Sequence, residues 1–373
     1  ADPAIRIVSL TITEGGYNFD QVTGDFLTDN PAVQAELVPG TRPTTIFGYL
    51  YDGLRRRHDQ GVPPFTIMSC DNILHNGAVA RKALTAYAKL RDPAFATWIA
   101  DTVHFPSSMV DRITPQTTDQ DRRDIAGRYG IDDGWPVVAE AFIQWALTDD
   151  FPTGRPAYEH AGVHLTNDVI PYELMKLRLL NCSHQALAYP ARLAGYEFVH
   201  EAMADPDIAG FVRGFMDIDV TPSLTPVPGE DLTAYKDTLV ARFSNVAVRD
   251  TVERLAAETS DRIPKWLVPM IKERLASDPA ADIRRSAAMV AAWARECEGT
   301  DDTGRPLAID DRARDELVAA AARHPDDPLA FLRLEQFFGD LVADPRFTTP
   351  YRWALDQLHT TGALAMLRAL AAA

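Results

Sequence analysis

The sequence predicts an α/β region followed by an all-helical region, with the change near residue 165. Three observations carry this. Short β-branched runs alternate with helical stretches in the first part of the chain. From Pro171 onward almost every patterned stretch has helical periodicity. At 373 residues and 46% hydrophobic content, the chain is long enough for two domains with buried cores. The expected division is therefore residues 1–165 and 166–373.

Ile5 to Ile12 is apolar and β-branched, which predicts a buried strand, and Gly15-Gly16 breaks it. Thr44 to His58 predicts a helix whose basic last turn, Arg55-Arg56-Arg57, suits the helix dipole. Gly61 and Pro63-Pro64 end that unit. Phe65 to Ser69 predicts a second buried strand that delivers Cys70-Asp71-Asn72 at its end, and Gly77 to Leu90 predicts the helix after it. In open α/β sheets, ligands gather at the carboxyl ends of strands, where Glu14 and Asn72 fall. His104 to Pro115 reads as a loop-like connector carrying Asp111 and Arg112, and Trp135 to Glu140 as a further strand. Thr166, Asn167 and Asp168 are helix-capping residue types, and Pro171 suits a first helical turn. Helices are then expected over 232–255, 287–297, 310–323 and 353–373, punctuated by proline-rich breaks at 221–228 and 325–328.

Formal net charge is −16, which argues against nucleic acid and anionic membranes as partners. The three cysteines, Cys70, Cys182 and Cys297, form no CxxC pair and suggest a reducing, cytoplasmic setting. No run of 18 apolar residues occurs, so no membrane span is expected. The opening Ala1-Asp2-Pro3-Ala4 has no basic and apolar regions of a signal peptide. It runs directly into a strand, and reads as a chain that begins inside a domain.

The most distinctive stretch is Lys176 to His184, a lysine, an asparagine and a histidine spaced K-x4-N-x2-H. At 100° per residue, Asn181 lies about 140° and His184 about 80° from Lys176 on a helix. Glu173 lies at about 60°. Four polar groups thus share a side with Leu177 and Leu180, and such groups need partners or a substrate. A capped helix with Glu173 paired to Lys176 satisfies the same pattern.

No HExxH motif is present. His160 and His164 have no third ligand nearby in sequence, so no metal is expected. No G-x-S-x-G occurs, which weakens a serine hydrolase. Metal-free redox at a carbinol needs a base for the hydroxyl proton and donors for the alkoxide. A buried lysine can be that base, because desolvation lowers its pKa from about 10.4. Asn72 and Asn181 carry amides suited to an oxyanion pocket, and Glu173 is one turn from Lys176 for proton relay. Taken alone, each of these positions is better explained without function, Asn72 as a turn residue after a strand and Asp71 as a helix cap.

Five stretches go beyond pattern: Leu10–Tyr17 (LTITEGGY), Ser69–Gly77 (SCDNILHNG), Val110–Pro115 (VDRITP), Lys176–His184, and Thr221–Asp231 with its TPVPGED. On these, the chain resembles the polyol-specific long-chain dehydrogenase/reductase family along essentially its whole length. The resemblance implies a Rossmann-like nucleotide-binding domain, in part, over 1–165 and a helical catalytic domain over 166–373. It implies NAD as cofactor and zinc-independent interconversion of D-mannitol and D-fructose by a monomer. Carried over by position, Lys176 is the general base, and Asn72 with Asn181 forms the oxyanion pocket. His184 orients a substrate hydroxyl, and Glu173 gates the proton path. Asp111 and Arg254 hold other hydroxyls. Glu14, Pro106, Val110 and Asp111 line the cofactor. Arg262 stands where the closest members have lysine, with Lys265 nearby, and a guanidinium fork does not replace a point charge one for one.

One departure is large. The family's Gly-rich turn after its first strand has no counterpart here, and no G-x-G-x-x-G occurs anywhere. This reads as part of a longer protein. Three alternatives stand beside a mannitol enzyme: a fructuronate or tagaturonate reductase, another polyol dehydrogenase acting on arabinitol or sorbitol, and a non-catalytic sugar-binding protein.

Overall fold

The computed structural model describes residues 2–20 and 24–372. The chain forms two compact units, each discontinuous in sequence. One comprises Ala1–Arg112 and Phe142–Glu173, the other Ile113–Ala141 and Leu174–Ala373.

The first unit holds every strand of the described residues. β1 (Ile7–Leu10) pairs in parallel with β2 (Thr66–Ser69), from Ile7 opposite Thr66 to Leu10 opposite Ser69. β3 (Ser108–Asp111) pairs antiparallel with β4 (Gln144–Thr148), which pairs in parallel with β5 (His164–Thr166). The two sheets are stitched side by side: Ile67 N–H donates to the His104 carbonyl at 3.0 Å, and Ser108 Oγ donates to the Ser69 carbonyl at 2.6 Å. All four residues of β2 are buried, as its unbroken apolar run predicts. The helices Ile46–Asp59, Asn76–Arg91 and Pro93–Thr102 bury Leu54, Leu84, Tyr87 and Ile99 in the same core as Ile67. Thr45 and Asp92 cap two of them by accepting backbone N–H bonds. Arg57, expected only to complement a helix dipole, is buried and donates to the carbonyls of Asp2, Ile5 and Pro63.

Two expectations fail in this stretch. The connector from His104 to Pro115 contains a strand, β3, which the flanking Pro106 and Pro115 disguise. Trp135 to Glu140 is not a strand. Val137 and Val138 face solvent, and the segment is held by its end: Glu140 N–H donates to the Ile113 carbonyl while Glu140 Oε1 accepts from Ile113 N–H. The strand lies a few residues later, at β4.

The second unit is helical. The helix Cys182–Leu193 is buried on almost all sides, and Tyr189 stacks on Trp293 of the helix Arg284–Glu296. That helix packs against Pro345–Thr361, and Trp293 meets Phe331 edge-on. The helix expected over 232–255 is two helices, Leu232–Phe243 and Val252–Ala256. The break between them lets Asp250 receive Arg254 and Thr251 cap the second helix. The helix expected over 310–323 spans only Arg314–Ala321, and that over 353–373 is split at Gly362 into Pro345–Thr361 and Ala363–Ala372. No described helix is long and apolar enough to cross a membrane.

Candidate active site

In the first unit, the candidate residues Glu14 and Asn72 lie just past the carboxyl ends of β1 and β2. β2 ends at Ser69, and Asp71 two residues on is buried. Asp71 Oδ1 accepts the Thr13 N–H at 2.8 Å, and Asp71 Oδ2 accepts the Tyr17 hydroxyl at 2.6 Å. The loop after β1, which carries Glu14, is thereby tied to the loop after β2, which carries Asn72. Burial and the Asp71 acceptor push the Tyr17 phenol well above its usual range, so it remains a neutral donor.

Asn76 completes this frame and is fully buried. Its amide donates to the carbonyls of Asp71 and Ser108, at 3.0 and 2.6 Å, and accepts the Ser108 N–H at 2.9 Å. The next residue, Gly77, is required by space. A Cβ there would lie 2.3 Å from the Phe105 carbonyl oxygen. β3 is thus locked beside the Asn72 loop, bringing Pro106, Val110 and buried Asp111 onto the same unit.

Two non-glycine residues in this frame hold left-handed backbones, Thr13 at φ +63° and His75 at φ +53°. Such strain persists only where the surroundings over-determine it. Here each strained residue's N–H is held by a buried carboxylate. Asp71 holds Thr13, and Glu173 holds His75 at 3.2 and 3.3 Å. Glu173 Oε2 also lies 3.7 Å from His75 Nδ1.

In the second unit, the lysine–asparagine–histidine stretch is not the plain α-helix expected. Lys176–Asn181 is a π-helical turn set between the α-helical Ile170–Met175 and Cys182–Leu193. A π turn closes its hydrogen bonds five residues apart, so Asn181 moves toward register with Lys176 instead of lying far round the helix. Single π turns recur at functional sites. Lys176 and Asn181 are both buried. His184, one turn further, is half-buried with its ring 4.5 Å from that of Phe243. Arg178, pointing elsewhere, anchors the turn to the Ser223 carbonyl at 2.7 Å and to Glu273 at 2.5 Å.

The two candidate arginines are linked to this helix through one carbonyl. The Leu255 carbonyl accepts Gln185 Nε2 at 3.0 Å and Arg262 Nη1 at 2.8 Å. Arg254, next to Leu255 in sequence, is held by Asp250, which raises its pKa. Burial lowers that of Arg262, with neighbouring Arg254 adding to the effect. Both arginines are therefore fixed by the protein before any ligand arrives.

The residues 1–160 match the family model for the mannitol dehydrogenase Rossmann domain, and 168–359 that for the mannitol dehydrogenase C-terminal domain. The chain belongs to the mannitol dehydrogenase family. It is 42% identical to a mannitol 2-dehydrogenase of Aspergillus fumigatus, over 98% of this chain and 74% of that protein. It is also 42% identical to a mannitol dehydrogenase of Saccharomyces cerevisiae, over 99% of this chain and 74% of that protein. Among solved structures, it resembles the Pseudomonas fluorescens mannitol 2-dehydrogenase in ternary complex with NAD and D-mannitol. That match has 45% identity and TM-score 0.84, and covers 100% of this chain and 75% of that one. A D-sorbitol dehydrogenase in substrate-free form matches with TM-score 0.91 and 38% identity, over 98% and 75%. The expected α/β-plus-helical architecture and the family resemblance are both borne out.

Within this mannitol dehydrogenase family member, Glu14, Asn72, Pro106, Val110, Asp111 and Glu173 lie on the sheet-bearing unit. Lys176, Asn181, His184, Arg254 and Arg262 lie on the helical one. Sequence reasoning missed Asn76, whose staple is visible only once β3 is known to pass beside it. It also missed the buried bidentate pair of Glu140 with Arg242, at 2.7 and 2.9 Å, because the partners are far apart in the chain.

Proposed function

We propose that this chain, an NAD-dependent polyol dehydrogenase, interconverts D-mannitol and D-fructose, with Lys176 as the general base. The observation that carries the reading is a buried lysine and a buried asparagine brought toward register by the π turn Lys176–Asn181. In the oxidation, the substrate hydroxyl gives its proton to the neutral Lys176 Nζ while the carbinol carbon gives up a hydride. NAD, when bound, supplies the hydride acceptor. The asparagine amides of Asn72 and Asn181 donate to the oxygen as it gains negative charge. His184, Asp111, Arg254 and Arg262 hold the remaining hydroxyls and orient the carbon chain. Glu173 passes the proton from Lys176 toward solvent. No step needs a metal ion.

The loops after β1 and β2 fit the cofactor, since the Asp71, Tyr17 and Asn76 bonds pre-form them at the carboxyl ends of parallel strands. Glu14, Pro106, Val110 and Asp111 hold it there. On this reading residues 1–165 bind nucleotide and 166–373 perform the substrate chemistry. The protein acts as a monomer in the cytoplasm, in keeping with its three free cysteines.

The test is NADH oxidation with D-fructose by the wild type and Lys176→Ala, with D-mannitol, D-arabinitol, D-sorbitol and fructuronate compared as substrates. Turnover with fructose and mannitol that Lys176→Ala removes supports the reading. Sorbitol is the specific competitor, because a D-sorbitol dehydrogenase matches with the higher of the two TM-scores. A clear preference for sorbitol or for the uronate overturns the substrate assignment.

A further inference from the structure

Away from every residue used above, the helical unit gathers two imidazoles and a carboxylate from three separate elements. Glu298 follows the helix Arg284–Glu296, His324 lies in the turn after Arg314–Ala321, and His359 belongs to Pro345–Thr361. One potential ligand atom from each lies within 4.8 Å of the others. The two imidazole rings lie face to face, with centroids 3.8 Å apart and planes at 6°.

The hydrogen bonds set which nitrogen of His359 is available. Its Nδ1 lies 2.7 Å from the Leu355 carbonyl, which can only accept, so Nδ1 carries the hydrogen. In the neutral ring Nε2 then offers a lone pair, yet it faces the Glu298 carboxylate oxygens at 2.8 and 3.0 Å. At these distances a proton bridges Nε2 and the carboxylate, the Glu298 bond raising the His359 pKa, and a divalent cation would bind by replacing that proton. A backbone carbonyl holding the far nitrogen is also the arrangement that orients histidine ligands in metal sites.

A second, independent observation points to the same spot. Glu298 and His324 line a small cavity of about 10 Å³, near the size needed for one water. Tyr351 lines it too. This residue is fully buried, and its hydroxyl has no hydrogen-bond partner. A buried hydroxyl without a described partner, on a cavity of this size, suits one polar occupant such as a water. His324 also borders a surface cleft of about 380 Å³ with Arg352, Trp353 and Asp356. Arg295 also approaches Glu298, at 3.5 Å, but its Nη1 is anchored to the Thr300 carbonyl at 3.0 Å.

We propose that Glu298, His324 and His359 bind a divalent transition-metal ion of the zinc class, with a water in the Tyr351 cavity as the fourth ligand. Two histidines and a glutamate with one open position is a donor set zinc accepts. Each imidazole holds a metal in its own ring plane, so loading tilts the two rings out of their parallel stack. The site is separate from the metal-free redox chemistry proposed above, and its role is to clamp three elements of the helical unit together.

The experiment is titration of the tag-free, chelator-treated full chain with Co²⁺ and Zn²⁺. One equivalent of Co²⁺ bound with the visible spectrum of tetrahedral cobalt, displaced by Zn²⁺, is expected. Zn²⁺ should also raise Tm in the wild type. His324→Ala and His359→Ala should each weaken binding more than ~10-fold and abolish the Tm shift, and Tyr351→Phe should weaken it by about 10-fold. His324→Gln repeats the test with side-chain volume largely kept, and circular dichroism establishes that each variant is folded. Dehydrogenase turnover should not change in the His324 variants. Absence of saturable, equimolar binding, or wild-type affinity in folded His324 and His359 variants, overturns the proposal and leaves a protonated His359 paired with Glu298.

Discussion

Two π-helical turns occur in the described helical unit, Lys176–Asn181 and Phe215–Val220, and they differ in what their polar residues do. In the second, Asp219 is fully buried, and its Oδ2 accepts both the N–H and the hydroxyl of Ser286, at 2.8 and 2.7 Å. Burial pushes its pKa up to about 7, and Oδ2 is held by these internal bonds while the buried Oδ1 meets no described partner. In the first, the Asn181 amide makes no hydrogen bond to any described residue, and a buried lysine stands beside it in register. An irregular helix turn is therefore not by itself a sign of chemistry. What distinguishes the first turn is an amide donor set on the same turn as a buried lysine, where the second has a buried carboxyl.

The sharpest way to break this contrast is Lys176→Ala. Loss of a general base should lower kcat by about 10²–10⁴-fold in a protein that remains folded, as steady-state rates and circular dichroism will report. Asn181→Ala comes next, with a loss of about 10²–10³-fold in kcat if its amide meets the developing oxyanion. Asp219→Asn should leave kcat at neutral pH unchanged. A kcat loss there comparable to that of Asn181→Ala would put the second turn in the site as well.

Asp219 should instead govern stability against pH. An acid whose folded pKa is raised holds its proton more tightly when folded, so its stabilisation is complete below about 4 and is lost as pH rises through about 7. Denaturant unfolding at pH 4 to 8 should show a decline on the order of a few kcal/mol in the wild type and a flatter profile in Asp219→Asn. Ser286→Ala has the smallest effect, about 1 kcal/mol, because the backbone N–H to Asp219 survives.

The legibility of the chain followed the same line between local and distant causes. β1, β2 and the helix Asn76–Arg91 were readable because β-branched runs and glycine or proline punctuation specify them locally. Trp135 to Glu140 misled because its valines look like a buried strand, while the segment is held by Glu140 at its end. The candidate residues Lys176, Asn181 and His184 were visible as a motif. The π turn was not, since one extra residue per turn leaves no mark on composition. Asn76 and the Glu140–Arg242 pair were invisible because their partners are set by tertiary structure.

That last pair has a consequence for how the molecule is made. Glu140 and Arg242 are 102 residues apart, and both belong to the helical unit. During synthesis the 113–141 segment emerges well before Arg242, so this pair cannot form until the ribosome has delivered Arg242. Closing a loop of that length costs only slightly more entropy than closing one half as long. Once closed, neither charge can be withdrawn cheaply from its partner. The pair is thus a late latch, engaging only when the sheet-bearing stretch between its two halves has already been made.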